Sequence, residues 1–234
     1  MEKLLKVELL GDSILKGIQV NPINKRYCVD NHMELDELSK KYAMEIENCS
    51  SFGCTVTKGS KQLQKLLDKN IKYNVVIMDF GGNDCDYNWS EIAKNPEGEH
   101  LPNTPIDVFI KTYCDMINKL KEKGIQPILT TLPPLNPENF FNWFCGSLDK
   151  VNILKWLGDI NRIYLHQETY SKAVEEIAKK MQVPLIDIRK AFLNYGDTKE
   201  LLCEDGTHPN TIGQKIISST LSDFAGKMVT SNIL

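Results

Sequence analysis

The stretch Val7–Ile14, with the sequence VELLGDSI, predicts a short apolar strand that ends abruptly on Gly11-Asp12-Ser13. The Ser13 hydroxyl then lies at the carboxyl end of a strand, in the first turn that leaves it. In an open α/β sheet, that edge is where ligands bind. A serine there can attack a substrate if a base and oxyanion donors converge on it. The rest of the chain therefore has to supply those groups.

Strands and helices alternate along the chain. The clearest buried strand is Asn74–Phe80, whose nearly continuous apolar run is typical of a parallel strand covered on both faces. Other strands are predicted at Ala43–Cys49, Ile125–Leu132 and Val183–Ile188. Ile14–Gly17 is expected to begin a helix or turn, and Val20–Asp30 to be irregular. The alternation predicts an α/β fold in which a parallel sheet is sandwiched between layers of helices.

Segments with apolar residues at helical spacing lie between these strands. Helices are expected at Met33–Tyr42, Lys58–Asn70, Thr104–Gly124, Lys150–Lys180 and Thr211–Met228, with a break in the fourth near Gly158. Thr104 is expected to be the N-cap of the third helix, and Pro105 its first helical residue. The polar stretch Cys85–Asn103 contains prolines and a glycine and is interpreted as an insertion loop.

Length and composition indicate a globular protein. The 234 residues are expected to form one domain, 1–234, with insertion loops near 85–103 and 136–146. The net charge of −3 is weak, so no nucleic-acid partner is expected. No apolar run reaches the roughly 18 residues of a membrane-spanning helix. The first residues lack the apolar core of a secretory signal peptide.

The seven cysteines are scattered and include no CxxC pair, so neither a zinc motif nor a redox motif is indicated. Reduced thiols in a cytoplasmic protein are the simplest interpretation. Asp12, Asp84 and His208 could suggest a metal site, but closely spaced ligands are lacking. Neither a metal nor a cofactor is therefore expected.

Three turns with chemistry-bearing residues follow the first three strands. They are Gly11-Asp12-Ser13, Gly53-Cys54-Thr55 and Gly81-Gly82-Asn83-Asp84. Because the carboxyl ends of parallel strands share one edge of a sheet, these turns are expected to lie together. The loop Asp205-Gly206-Thr207-His208 follows the last strand and can reach the same edge. Together the turns and the loop supply the parts that acyl transfer needs.

A serine needs a base, and histidine is suited to accept and return its proton near neutral pH. His32 and His100 lie in polar, loop-like surroundings, and His166 lies within a helical stretch. His208 follows Asp205 by three residues, a spacing that a helix start also produces. With Gly-Asp-Ser upstream, we interpret Asp205 as the carboxylate that orients the His208 ring toward Ser13.

The tetrahedral intermediate carries an oxyanion, which needs donors fixed in advance. The backbone N–H of Ser13 is one candidate. Gly53 is a second, because the absence of a Cβ lets its N–H approach closely. The side-chain amide of Asn83 is a third, although an asparagine after a buried strand can equally be a turn former.

The segment Asn136–Gly146 is unusually aromatic. It concentrates Phe140, Phe141, Trp143 and Phe144 in a short stretch that follows two prolines. One interpretation is a local hydrophobic anchor for the next helix. Another is a substrate wall that contacts an apolar group or a sugar ring. A dimer contact is the third, and the sequence does not define the oligomeric state.

The set of motifs resembles the GDSL, or SGNH, hydrolases. Gly11-Asp12-Ser13-Ile14 is similar to the first block of that family, with Ile14 in place of the usual leucine. Gly53 matches the glycine of the second block. Gly82-Asn83-Asp84 matches the third block and Asp205-Gly206-Thr207-His208 the fifth. The blocks come in the family's order and span nearly the whole chain.

The resemblance implies a flavodoxin-like, three-layer α/β/α sandwich with a five-stranded parallel sheet, and it implies hydrolysis of esters. It maps the nucleophile onto Ser13, the oxyanion donors onto Ser13, Gly53 and Asn83, and the acid and base onto Asp205 and His208. Asp12 is interpreted as a brace for the turn that presents Ser13. Asp84 is interpreted as a brace for the third-block turn.

The expected function is that of a serine ester hydrolase that forms an acyl-enzyme. Its expected substrates are small-molecule or oligosaccharide esters, with short acyl groups such as acetyl on a carbohydrate. A lysophospholipase or thioesterase of the same fold remains open. A non-catalytic, flavodoxin-like binding module is the alternative of another class, although the chain has no GxGxxG or P-loop motif.

Overall fold

The computed structural model describes residues 4–29, 34–69 and 72–230. The described residues form the strands β1 (Leu5–Gly11), β2 (Ile18–Val20), β3 (Tyr27–Val29), β4 (Met44–Asn48), β5 (Val75–Asp79), β6 (Gln126–Thr130) and β7 (Leu185–Ile186). They also form the helices α1 (Leu35–Tyr42), α2 (Val56–Asp68), α3 (Trp89–Lys94), α4 (Ile106–Glu122), α5 (Pro137–Cys145), α6 (Lys150–Leu157), α7 (Asn161–Met181), α8 (Ile188–Tyr195) and α9 (Thr211–Thr230).

Five of the strands build one parallel sheet in the order β4-β1-β5-β6-β7. Strand β1 lies between β4 and β5, so that Leu9 is paired with Asn48 on one side and Ile77 on the other. The predicted five-stranded parallel sheet is therefore confirmed. Because all five strands point the same way, the turns after β1, β4 and β5 leave the sheet at one edge.

Helices cover both faces of the sheet, as the three-layer prediction requires. Val7 and Leu9 of β1 pack on the face covered by α1, α8 and α9. Leu10 packs on the opposite face, against α2, α4 and α7. The alternation follows from the two-residue period of a strand, and it buries the middle of the sheet from both sides.

Several local predictions are wrong. Val20–Asp30 is not wholly irregular, because β2 and β3 pair as an antiparallel hairpin. By contrast, Ile14–Gly17 forms turns, which is one of the two alternatives predicted for it. The insertion 85–103 contains helix α3, and the aromatic segment 136–146 is helix α5 rather than a loop. A further helix, α8, follows the last strand and was not predicted.

The predicted start of α4 is also shifted by one residue. Pro105, rather than Thr104, is the N-cap, because its ψ of 147° is extended. The predicted break near Gly158 is confirmed, since α6 ends at Leu157 and α7 begins at Asn161. His32, the predicted helix start at Met33 and the predicted helix end at Asn70 lie outside the described residues. Within the described ranges, no helix has both the length and the apolar character needed to cross a bilayer.

Helix α2 approaches the sheet closely at Gly59. A Cβ at this position would lie 2.1 Å from Cζ of Phe80, whose side chain is fully buried. We therefore expect Gly59→Ala to lower the free energy of unfolding by about 1–3 kcal/mol, since overpacking outweighs the better helix propensity of alanine. Urea denaturation measures the change.

Lys61→Ala is the matched control, because Lys61 is exposed in the same helix. It should change the free energy of unfolding by no more than about 0.5 kcal/mol. A Gly59→Ala protein as stable as the wild type would show that Phe80 moves aside without cost.

Candidate active site

The turn after β1 holds Ser13 in a fixed position. Asp12 Oδ1 accepts a hydrogen bond from the Ile14 N–H at 2.8 Å. The Ser13 carbonyl accepts from the Ile18 N–H at 2.9 Å, and the Asp12 carbonyl accepts from the Lys16 N–H at 3.1 Å. Ser13 is only 6% exposed. The hydroxyl is therefore presented from a tight turn rather than from a free loop.

Ser13, His208 and Asp205 meet at this edge of the sheet. His208 Nε2 lies 2.9 Å from Ser13 Oγ, and His208 Nδ1 lies 2.5 Å from Asp205 Oδ2. With its proton on Nδ1, directed at the carboxylate, the ring offers the Nε2 lone pair to the serine hydroxyl. This geometry can transfer a proton from Ser13 to His208.

The Asp205 carboxylate organises its own loop. Asp205 Oδ1 accepts from the backbone N–H groups of Thr207 and His208, each at 3.1 Å. Burial raises the pKa of Asp205, but the hydrogen bonds and charge of His208 lower it more, so the net pKa lies below its ordinary value. An ionised carboxylate is what stabilises an imidazolium.

Gly206 lets this loop pack against helix α5. Its φ is +73°, and a Cβ there would lie 2.6 Å from both Asn136 O and Phe140 N. The Gly206 carbonyl accepts from the Asn136 N–H at 2.7 Å. Only glycine satisfies both the backbone conformation and the close approach.

Two aromatic residues that the sequence interpretation missed pack against the His208 ring. Tyr27, on β3, lies 5.1 Å from it between ring centroids. Phe52 is stacked on it at 6.0 Å and an angle of 8°. Burial, with the charge of Asp205, raises the pKa of Tyr27 to about 12, so this phenol stays neutral. Little in the sequence indicated that they pack against His208, since Tyr27 lies in a stretch expected to be irregular and Phe52 is noticeable only as the neighbour of Gly53.

Asn83 lies beside Ser13 in the wall of one cavity. Its Nδ2 donates to Asp12 Oδ2 at 3.0 Å. This bond fixes which end of the amide is the nitrogen, and it leaves the second N–H of Nδ2 available. Asp12 therefore contacts both the turn after β1 and the turn after β5.

Gly53 is adjacent to Phe52, which lines the same cavity, but Gly53 itself does not line it. Its φ is +68°, and a Cβ there would meet nothing within 4 Å. The reason for a glycine here is therefore the left-handed backbone conformation, not the close approach that the sequence interpretation assumed.

Asp84 is fully buried beneath the turn after β5. Its two carboxylate oxygens accept from the Val56 N–H at 2.9 and 3.1 Å, at the N-terminus of α2. A carboxylate is favourable there because the helix dipole is positive at that end. Burial nevertheless raises the pKa of Asp84 to about 6.

A further buried carboxyl group, Asp79, ends strand β5 and was not predicted to matter. Its Oδ1 accepts from Thr130 Oγ1 at 2.8 Å, whereas its buried Oδ2 has no hydrogen-bond partner within the described part of the chain. Burial raises the pKa of Asp79 to about 6. Burial, and then the charge of Asp79, raise the pKa of Asp12 well above its ordinary value.

A cavity of about 540 Å³ runs past Ser13 and His208. Of the four residues expected to form a substrate wall, only Phe140 lines it. Phe141 and Phe144 pack instead in an apolar cluster with α3 and α6, and Trp143 donates its indole N–H to Tyr27 Oη at 2.9 Å. The aromatic residues that line the cavity are Tyr27, Phe52, Tyr87, Trp89, Phe140 and Trp156.

His166, which the sequence placed only within a helical stretch, also lines this cavity. Its Nε2 lies 3.1 Å from Tyr87 Oη. Burial lowers its pKa below the ordinary value. The ring is thus neutral and held in place by its neighbours.

Ser13, His208 and Asp205 thus meet at one edge of a three-layer α/β/α sandwich. The chain belongs to the GDSL-like lipase/acylhydrolase family, whose model matches residues 9–216. The resemblance inferred from the sequence motifs is therefore confirmed.

Individual relatives are distant. The chain is 26% identical over 153 residues to the GDSL esterase/lipase WDL1 of Oryza sativa subsp. japonica, a match that covers 64% of this chain and 52% of that protein. The chain thus spans about half the length of this curated relative.

Solved structures share the fold across nearly the whole chain. A lipase/acylhydrolase from Enterococcus faecalis superposes with a TM-score of 0.67 at 21% identity, covering 96% of this chain and 97% of that one. A catalytic mutant of the acetylxylan esterase Axe2 from Geobacillus stearothermophilus gives a TM-score of 0.64 at 16% identity, covering 97% of each chain. These matches confirm the fold.

The buried Asp79 predicts an unusual dependence of stability on pH. Because its pKa in the folded protein lies above that of the unfolded chain, its contribution is favourable when it is protonated and is lost as the pH rises toward 6 and beyond. Asp79→Asn mimics the neutral acid. We expect it to be more stable than the wild type by about 1–3 kcal/mol at pH 8, with a smaller difference at pH 4.5.

Urea denaturation of both proteins at the two pH values measures this difference. Asp223→Asn, the same change at an exposed position, is the control and should show no comparable pH dependence. A gain for Asp79→Asn that is equal at both pH values would contradict the assignment.

Proposed function

We propose that the chain is a serine ester hydrolase in which Ser13 is the nucleophile, His208 the general base and Asp205 the group that orients it. The proposal rests on one observation, the continuous chain of hydrogen-bonding contacts from Asp205 Oδ2 through the His208 ring to Ser13 Oγ, at 2.5 and 2.9 Å. A hydroxyl within reach of an oriented base is the arrangement that nucleophilic acyl transfer requires.

The reaction proceeds in two steps. Ser13 Oγ attacks the ester carbonyl carbon while its proton passes to His208 Nε2. The tetrahedral intermediate collapses, the carbon–oxygen bond to the alcohol breaks, and His208 returns the proton to that oxygen. Water, deprotonated by His208, then attacks the acyl-enzyme, releases the carboxylic acid and restores the Ser13 hydroxyl.

The oxyanion of each intermediate needs donors that do not move. We assign this role to the N–H of Ser13 and to Nδ2 of Asn83, two residues that line the cavity, and to the N–H of Gly53, which directly follows the cavity-lining Phe52. The hydrogen bond from Asn83 Nδ2 to Asp12 at 3.0 Å supports the assignment, because it fixes the orientation of the amide and leaves the second N–H of Nδ2 for the oxyanion. Loss of one such donor typically costs about 10²–10³ in turnover.

We further propose that the substrates are short acyl esters, acetyl esters above all, of a carbohydrate. The carboxyl groups of Asp12, Asp79 and Asp86 lie in the cavity wall, and a long alkyl chain offers them no hydrogen-bond donor. The aromatic side chains in the same wall suit the apolar face of a sugar ring. Two similar structures are described as acetyl xylan esterases.

The residues of the proposed site lie between Ser13 and His208, which supports one catalytic domain over this length. The seven cysteines, all within the described residues, are free. Free thiols persist in reducing compartments, so we propose a cytoplasmic location, as expected from the sequence.

Ser13→Ala should lower kcat/KM for p-nitrophenyl acetate by about 10³-fold or more, because no other hydroxyl replaces the nucleophile. Initial rates measure the change, and circular dichroism checks that the fold is intact. Ser219→Ala, on helix α9 and exposed, is the matched control and should retain wild-type activity.

A fluorophosphonate probe separates catalysis from simple binding. The wild type should be labelled at Ser13 and the Ser13→Ala protein should not, since labelling requires an activated serine. An unlabelled wild type would favour the non-catalytic binding module. Full activity in Ser13→Ala would refute the proposed nucleophile.

A series of p-nitrophenyl esters tests the acyl group. We expect kcat/KM to fall at least tenfold from acetate to octanoate, because the longer chain offers no hydrogen-bond donor to the carboxyl groups in the cavity wall. All esters are measured below their aggregation concentration. A preference for octanoate would instead support a lysophospholipase or thioesterase.

A further inference from the structure

The cavity continues beyond Ser13 into a part lined by α3, α6 and α7. Tyr87, Trp89 and Trp156 form an aromatic corner there, with ring centroids 5.0–6.2 Å apart and edge-to-face orientations. Phe144 is stacked on Trp89 at 4.1 Å. The corner therefore presents preformed apolar surfaces to whatever enters the cavity.

Two of the polar side-chain atoms of this corner are already engaged within the protein. Tyr87 Oη is paired with His166 Nε2 at 3.1 Å. Trp89 Nε1 donates to Asp86 Oδ1 at 2.8 Å. A ligand against the rings of Tyr87 and Trp89 thus meets their carbon surfaces, and its polar groups have to find other partners.

Asp86 and Arg162 line the same cavity and retain unused hydrogen-bonding capacity. A carboxylate accepts about four hydrogen bonds. The Trp89 indole N–H and the Tyr87 backbone N–H account for two at Asp86. Arg162 has five N–H donors, and one of its terminal nitrogens donates to the Leu157 carbonyl at 2.9 Å. The cavity thus offers an acceptor and a donor beside an aromatic corner.

We propose that Asp86 is a specificity-determining residue that accepts a hydrogen bond from a hydroxyl on the alcohol part of the ester, with Arg162 donating to a second oxygen. This inference rests on the proposed ester hydrolase and defines its alcohol as a polyol ring of the sugar class. The ring lies with its C–H face against the aromatic corner, and its hydroxyls reach Asp86 and Arg162.

The chemistry of the Asp86 carboxylate explains why an ester whose alcohol carries hydroxyl groups is preferred. A site built to bind a hydroxyl rejects an analogue that lacks one, because a buried polar group is then left unpaired. Burial raises the pKa of Asp86 to about 6, so at pH 7.5 the carboxylate is ionised and can only accept. A sugar hydroxyl supplies a donor, whereas an alkyl or nitrophenyl group does not.

The test compares an acetylated methyl xyloside with p-nitrophenyl acetate at pH 7.5. Asp86→Asn keeps an oxygen to accept from Trp89 but replaces the second acceptor by a donor. Its kcat/KM for the xyloside should fall 10- to 100-fold further than that for p-nitrophenyl acetate. Asp115→Asn, whose side chain is 51% exposed on α4, is the control and should leave the ratio unchanged.

A binding measurement removes turnover from the comparison. The xyloside is titrated into Ser13→Ala and into the Ser13→Ala/Asp86→Asn double variant, with tryptophan fluorescence as the signal. The second should bind at least tenfold more weakly. Arg162→Gln, a change at an exposed position, tests the same site if Asp86→Asn does not fold, and it should lower the same ratio.

The outcomes distinguish this inference from the function beneath it. A wild type that cleaves neither ester refutes the ester hydrolase itself, and a Ser13→Ala protein that cleaves both refutes Ser13 as its nucleophile. A wild type that cleaves p-nitrophenyl acetate but not the xyloside overturns the sugar site alone. Equal losses for both esters in Asp86→Asn, or no loss in either, likewise overturn the role of Asp86.

Discussion

The hydrogen bond between Ser13 Oγ and His208 Nε2 joins two side chains that are 195 residues apart in the chain. One end depends on β1, which is fixed between β4 and β5 in the buried middle of the sheet. The other depends on a loop closed by the bridge between Leu202 and Pro209. Ser13 needs the histidine as its base, and His208 needs the serine hydroxyl, so neither turn can act alone. The sheet and the helices form the frame that keeps this 2.9 Å contact in place.

The frame is braced by carboxyl groups that have been removed from water. Asp12 links the turns after β1 and β5, Asp84 holds the start of α2, and Asp79 binds Thr130. Burial raises the pKa of all three, which means that the ionised forms destabilise the folded protein. Conformational precision at the site is thus obtained at a cost in stability, as is common where function constrains a fold.

The sequence was most informative where the pattern is local. Buried strands have continuous apolar runs, and glycines and asparagines mark their ends, so the sheet and the residues at its edge could be predicted. The hairpin β2–β3 was missed because each of its strands has only three residues. Tyr27, Phe52 and Trp156 were missed because no local pattern reports which aromatic ring faces a cavity. For the same reason, the sequence left open whether Phe141, Trp143 and Phe144 form a substrate wall or an anchor for the next helix, and Phe141 and Phe144 fit the anchor.

Helix α5 shows what that aromatic segment does instead. The Asp205–His208 loop rests on the first turn of this helix through Gly206, which touches Asn136 and Phe140. Phe141, buried on the other side, anchors the helix to α3 and α6. The position of the imidazole therefore depends on a hydrophobic cluster, part of which also lines the cavity. In mutational surveys, substitutions in this cluster will lower activity as substitutions of catalytic residues do. They displace His208, with an effect like that of removing Asp205.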